Sequence, residues 1–552
     1  MLQNSYFYNL SKRFLQKTDA LIDRCYYPSL TATLMERLGL AYRSSFTGQL
    51  MARDLVGESW AYKTFQGIID FCARLVCWPT VEKRAEAEGG QVIYPQQYHL
   101  RKPVVFGLIA LFILLGVGLF FLLPWSQALQ ILGGVLLVAA VLYRVEFGVY
   151  AAALALPFVP FKALFMLSLL TLFSLVMKWR WGKIGRLHFS PFWVPLLLFF
   201  LIQFYATITS VYFWPSVSEF LIPVTGLIYL FVMVNVFDRP AKLDNFLLCL
   251  ALAGLVTAGY ATYQYYAGPS MEFLNQNWVD ASQTKEIKNR AYAVFDNPNL
   301  LAQYLVLLTS VTLGALFATR SWRRRGLFAL TVVTSVCCLL LTYSRGGWIA
   351  FVAGLLVFGY FFNRRRLITF LPIGAVAGYF LIPAWAFSRL ATAVSLQDSS
   401  NAYRLDTWNS TLSLVREYWL TGVGLGRQAF ARVYGSHMIN TNFVPHSHNL
   451  CLQLISEFGI LGLAVFLWLF WRLFRLGCRL RVSGDAFIRS LNAGVMAAMA
   501  GFLIHSLIDY FLWYYKLGIL IWLLIGIMLV LERLENKEEV GVGRREPCGT
   551  TR

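Results

Sequence analysis

The stretch PNLLAQYLVLLTSVTLGALFATRSWRRRGLFALTVVTSVCCLLLTYSRGG, from Pro298 to Gly347, decides the fold. An apolar run from Pro298 to Thr319 ends at Arg320 and the knot Arg323 to Arg325, and a second run from Gly326 to Tyr343 follows at once. A helix needs roughly 20 apolar residues to cross a bilayer, so these runs read as a transmembrane hairpin with a basic turn. The same pattern recurs outward in both directions. Further apolar runs lie at Pro103–Pro124, Phe192–Tyr212, Glu219–Val236, Phe246–Tyr263, Trp348–Phe362, Leu367–Trp385, Asn449–Trp471, Ala486–Tyr510 and Leu517–Leu531. Between Gln127 and Trp179 the stretch is interrupted by Arg144, Glu146 and Lys162, which predicts one span plus a shorter helical pair, re-entrant or tilted. The expectation is an all-α, polytopic integral membrane protein with about 12 to 14 transmembrane helices.

Composition agrees. Of 552 residues, 58% are apolar and only 14% charged, where a soluble chain carries about 25% charge. The net charge of +20 would raise nucleic-acid binding in a soluble protein. Here the basic residues sit in short joints between apolar runs, where they orient the chain by the positive-inside rule, and no nucleic-acid partner is expected.

Placing the amino terminus inside makes every predicted cytoplasmic joint basic: Arg144, Lys178 to Arg186, Arg239 with Lys242, Arg320 to Arg325, Arg364 to Arg366, and Arg472 to Arg481. Both termini are then cytoplasmic. The two long loops, 267–297 and 387–448, fall outside. The nine cysteines form no CxxC pair and avoid both long loops, so disulfides are not expected to hold the fold.

The expected organisation has four parts. Residues 1–102 form a cytoplasmic, partly amphipathic helical region, read either as helices on the inner leaflet or as a small self-packed domain. Residues 103–190 hold the first spans and 191–531 the main membrane domain, followed by a charged, disordered cytoplasmic tail at 532–552. No secretory signal opens the chain and no internal repeat is visible.

Candidate chemistry concentrates outside. His437, His446 and His448 lie in or at the end of the second long loop, and Pro445-His446-Ser447-His448-Asn449 runs straight into an apolar helix bearing Gly459 and Gly462. That glycine spacing fits close helix packing in lipid. For His448 three readings stand: an interfacial capping group, a metal ligand with His446, or a general base taking a hydroxyl proton near neutral pH. The loop offers no cysteine or carboxylate beside the two histidines, so no metal is expected.

Arginines supply the counterpart: Arg290 in the first outer loop, Arg345 at a helix junction with almost no loop, and Arg404 in the second outer loop. An arginine on the side disfavoured by the charge rule asks for an anionic partner, and its planar fork suits phosphate oxygens. Salt bridges to Asp296, Asp398 or Glu417 are the competing explanation.

Taken in order, these residues resemble a known family. His448-Asn449, nine residues, Gly459, two residues and Gly462 match the His-Asn…Gly-x-x-Gly pattern of the O-antigen ligase and polymerase superfamily. Arg290 with Asn297-Pro298-Asn299, Ser344-Arg345-Gly346, Arg404-x-x-x-Trp408, Gly422-Val423-Gly424-Leu425-Gly426 and His505-Ser506 with Asp509-Tyr510 look like further blocks of the same pattern. The likeness covers roughly residues 190 to 530.

The resemblance implies a fold like that of the C-type membrane glycosyltransferases. It also implies metal-independent, inverting transfer from an undecaprenyl-pyrophosphate-linked glycan at the outer face of the bacterial cytoplasmic membrane. By position, His448 would be the base or positioning group for the acceptor hydroxyl, while Arg290, Arg345 and Arg404 would bind the pyrophosphate. Asn299, Asn449, Trp408 and Gly424 would support them. No cofactor is implied. The implied partners are the lipid-linked donor, membrane lipids, and an acceptor that is a lipid, a wall polymer or a protein. A polymerase using the same donor would carry the same blocks. A small-anion transporter is the other class open to a chain with this many spans, although its charges would be expected near the midplane.

Overall fold

The computed structural model describes residues 77–80, 97–100, 124–185, 187–190, 192–267, 289–381, 384–391, 399–439 and 443–543. Two compact units make up the chain, Met1–Ala128 and Leu129–Arg552. Within the first, strands β1 (Cys77–Thr80) and β2 (Gln97–Leu100) pair antiparallel, Cys77 opposite Leu100 and Thr80 opposite Gln97. The helices expected before residue 77 and the span expected at Pro103–Pro124 lie outside the described residues, apart from Pro124 itself.

Every other regular element described is an α-helix: α1 (Trp125–Tyr143), α2 (Glu146–Ala155), α3 (Phe161–Arg180), α4 (Trp193–Ile208), α5 (Phe213–Val236), α6 (Pro240–Ala267), α7 (Pro298–Ala318), α8 (Trp322–Leu341) and α9 (Arg345–Leu381). There follow α10 (Ala384–Ala391), α11 (Ser399–Tyr418), α12 (Arg427–Tyr434), α13 (Leu450–Leu480), α14 (Ala486–His505) and α15 (Tyr515–Gly543). Among the described residues ten helices are long and apolar enough to cross a membrane, and α2 and α4 are shorter apolar helices. The protein is an all-α, multi-pass membrane protein.

Three helices form the centre. The apolar windows of α7, α14 and α15 are 83%, 78% and 89% buried, whereas that of α1 is 11% buried and faces outward with Leu129, Val135 and Leu136. Lipid tails are as apolar as leucine, so central helices associate by close packing rather than by escape from water. Gly314 of α7 and Gly494 of α14 show this. A Cβ built on either would stand 2.9 Å from the other's Cα.

Charges interrupt the sequence between Gln127 and Trp179 but not the helices. Arg144 falls in the break between α1 and α2, Glu146 opens α2 and meets Lys242 at 3.7 Å, and Lys162 sits in the first turn of α3. The expected shorter pair is therefore one ten-residue helix and one 20-residue helix of spanning length. The helix traced through Leu381 breaks at Asn363 (φ −163°, ψ 100°), just before Arg364 and Arg365.

One end of the bundle gathers basic residues and their partners. Arg324 bonds Asp244 and reaches Asn245 Oδ1 at 2.8 Å, Lys242 meets Asp238 at 3.1 Å, and Arg479 meets Glu532 at 2.7 Å. The tail expected to be disordered from Glu532 instead continues α15 to Gly543. Its polar residues are tied down there: Ser483 donates to Glu535, and Lys537 donates to the Asp238 carbonyl at 3.3 Å.

Candidate functional site

The opposite end collects the candidate residues. His448 directly precedes Asn449, the N-cap of α13, whose side-chain oxygen accepts from Leu452 N at 3.1 Å and whose Nδ2 donates to the Leu507 carbonyl at 2.8 Å. Asn449 thus caps a helix, a preferred place for asparagine, and ties it to residues 506–509. His448 itself has φ +50°, an uncommon conformation for a residue with a side chain. Its carbonyl accepts from Trp408 Nε1 at 3.4 Å, and its backbone N–H donates to His446 Nδ1 at 3.4 Å. Trp408 therefore contacts the histidine through the backbone, not through the ring.

The ring of His448 points at a residue that the reading of the loop did not single out. Its Nδ1 lies 3.0 Å from Asp509 Oδ1. That carboxylate also accepts from Tyr510 N at 2.9 Å and, at Oδ2, from Asn299 Nδ2 at 3.3 Å. Asn299 Oδ1 in turn accepts from Arg290 Nη2 at 3.3 Å, and Arg290 Nε donates to the Thr342 carbonyl at 2.8 Å. A continuous chain thus runs Arg290–Asn299–Asp509–His448. Burial works to raise the Asp509 carboxyl, but the charge and hydrogen bond of His448, with His446 and Arg404 behind them, hold it well below the usual carboxylate range.

Arg345 opens α9 and is buried, two residues after Tyr343, which has φ +52°. Arg404 lies on α11. Burial, then the charges of Arg389, Arg404 and Arg345, push the Arg290 guanidinium down to about 9, so it stays charged at neutral pH. Mutual repulsion of this kind requires four guanidinium groups in one neighbourhood. The structure thus brings together His448, Arg290, Arg345, Arg404 and Asn299, and adds Asp509 and Arg389. An acid in an apolar segment, Asp509, was the signal available in the sequence, but its partner stands 61 residues away.

His446 packs edge-on against His448 with ring centroids 4.2 Å apart, and stacks on Trp513 at 5.9 Å. Burial, reinforced by His448 and Arg427, drives its imidazole down to about 3, so it is neutral. Arg427 covers the same indole at 3.7 Å, and its backbone N–H donates to Glu219. His437 serves the loop instead: it bonds Glu417 at 3.0 Å and the Val433 carbonyl at 2.9 Å. Glu417 thus has a partner in His437, and Asp398 lies outside the described residues.

Gly424 does not join the cluster. With φ +107° it lies where a Cβ would stand 2.5 Å from Ser210 Cα, inside a segment threaded between helices. Val423 N donates to the Ser456 carbonyl at 2.7 Å, Gly424 N to Glu457 at 3.3 Å, and Leu425 N to Ala206 at 3.3 Å. From the other side Ile460 N donates to the Trp419 carbonyl at 2.7 Å. These bonds patch a break in α13 at Gly459, whose φ is +67° and whose Cβ would lie 2.0 Å from the Leu420 carbonyl oxygen. Gly459 therefore admits a backbone rather than a neighbouring helix in lipid. Lipid cannot satisfy exposed peptide groups, so the patch is a requirement of the break.

Residues 330–467 match the model of the O-antigen ligase family, which supports the resemblance to the O-antigen ligase superfamily. This quarter of the chain carries Arg345, Arg404, Trp408, Gly424, His448 and Asn449 and leaves Arg290, Asn299 and Asp509 outside it. No curated protein matches the chain. The match supports a glycan ligase- or polymerase-like role for a multi-pass membrane protein.

Proposed function

We propose that the chain transfers a glycan from an undecaprenyl-pyrophosphate carrier to a hydroxyl of an envelope acceptor, as a ligase, at the outer face of the bacterial cytoplasmic membrane. The observation that carries this reading is the chain Arg290–Asn299–Asp509–His448, which joins cations suited to an anionic leaving group to a histidine suited to an acceptor. Ionised Asp509 accepts from Nδ1–H of His448, which leaves Nε2 with its lone pair. That nitrogen takes the acceptor's proton as its oxygen attacks the anomeric carbon from the face opposite the pyrophosphate. The sugar–phosphate bond breaks with inversion, and the negative charge gathers on the leaving pyrophosphate. Arg290, Arg345 and Arg404 stabilise that charge, and fixed cations in a partly dry site do so without reorganising. The basic end of the bundle faces the cytoplasm under the same reading, with both termini on that side.

The test uses purified protein in nanodiscs, an undecaprenyl-pyrophosphate glycan and extracted envelope acceptors, and follows release of the lipid carrier. Release by the wild type that disappears in His448→Ala and Arg345→Ala, both still inserted, is the expected result. Turnover by either variant at the wild-type rate would overturn the assignment. A single acceptor shift marks a ligase, and a ladder of products marks a polymerase.

A further inference from the structure

His446 and His448 have no carboxylate beside them in the second long loop, yet the fold supplies one from across the site. A donor nitrogen of His446, one of His448 and a carboxylate oxygen of Asp509 all lie within 4.8 Å of one another. We propose that His446, His448 and Asp509 bind a divalent first-row transition-metal ion, zinc foremost, and that the bound ion blocks glycan transfer. The blocking half rests on the role proposed for His448; the binding half does not.

The donor geometry is close to what zinc takes. Zinc–nitrogen and zinc–oxygen bonds of about 2.0–2.2 Å place tetrahedral donors roughly 3.3 Å apart. His448 Nδ1 and Asp509 Oδ1 already stand at 3.0 Å. His446 completes the set by closing about 1.5 Å at most. Two imidazoles and one carboxylate are a borderline donor set that suits zinc, cobalt or nickel and offers too few oxygens for magnesium or calcium. The outer support is also built. Asn299 Nδ2 and the Tyr510 backbone N–H hold the carboxylate, while the Trp513 ring backs His446. The charges of Arg404, felt at Asp509, and of Arg427, felt at His446, oppose a dication and weaken the site.

The block follows from the imidazole's two nitrogens. An ion bound at Nδ1 of His448 takes the place of the proton shared with Asp509, and that proton moves to Nε2. The ring stays neutral and no proton is released. The nitrogen that would accept the acceptor's proton is then already occupied.

The experiment titrates full-length protein in nanodiscs with zinc chloride, magnesium chloride as control, by calorimetry. Cobalt(II) absorption then reads the coordination. One zinc site per chain is expected, with a tetrahedral cobalt band. Affinity should fall about a hundredfold or more in both His446→Phe and Asp509→Asn, each checked for an unchanged monodisperse profile. Wild-type carrier release should fall with zinc and recover with a chelator. Equal zinc affinity in the wild type and both variants overturns the site. Variant-dependent binding without inhibition overturns the block. Zinc binding with no turnover on any glycan donor would leave the site standing and remove the proposed function, while His448-dependent turnover without zinc binding would do the reverse.

Discussion

Asn299 Nδ2 donates to Asp509 Oδ2 at 3.3 Å, and this bond joins the arginine side of the site to the histidine side. The two residues sit at the first turn of α7 and just beyond α14, helices packed along their lengths. Their registration is therefore set by the core, not by loop conformation.

Asp509→Asn keeps the shape and removes the charge. The amide no longer fixes the Nδ1–H tautomer of His448, so turnover should fall about 10²- to 10⁴-fold while the protein inserts normally. Carrier release at saturating donor is the measurement, and a rate within a factor of about three of wild type contradicts the positioning role.

Asn299→Ala leaves both Asp509 and Arg290 in place but removes the amide that bridges them. A misplacement of about 1 Å can cost about a hundredfold, so an intermediate loss is expected, smaller than for Asp509→Asn. Single-turnover kinetics rank the two variants.

Arg345→Lys retains a cation yet loses the planar fork. If the arginine holds two pyrophosphate oxygens at once, lysine should rescue little of the roughly 10²–10³-fold loss expected for alanine. A lysine variant at near wild-type rate would reduce Arg345 to a general electrostatic role.

Gly459→Ala tests the break in α13. Its backbone (φ +67°, ψ −176°) lies in a region open essentially only to glycine and costs about 1–3 kcal/mol for a residue with a side chain, and the new methyl would collide with the Leu420 carbonyl. A lower thermal midpoint and reduced folded yield are expected, where a helical glycine that merely faced lipid would tolerate alanine.

Glu532→Gln is the contrasting case at the other end. Arg479 is largely exposed there, but Glu532 is 13% exposed and also accepts from Ser190 at 2.8 Å, so the change should lower stability by about 1–3 kcal/mol and leave turnover unaltered.

Much of this was legible from the chain. Apolar length set most spans, and Arg290, Arg345 and Arg404, singled out as candidates because charge in an apolar context is conspicuous, are gathered in one neighbourhood. Asp509 was harder, since its meaning depends on a histidine 61 residues earlier and on two loops meeting. The break at Gly459 was hidden for a related reason. Leu450–Leu480 reads as one apolar helix, and nothing local in it announces that residues 419–424 will take over its hydrogen bonds. Tyr343 and His448 likewise adopt positive φ without glycine to signal it. The helical tail beyond Glu532 was missed because its charges find partners on other elements.

The threaded segment around Gly424 also makes the candidate site depend on a pairing between distant helices. Its bonds to Ala206, Ser456 and Glu457 can form only after α4 and α13 stand side by side, two elements made far apart in synthesis. Arg404 and His448 flank that segment in the chain, so their placement rests on it. The candidate cluster thus depends on that pairing as well as on the spans, and a variant that loosened it would keep the membrane helices and lose the cluster.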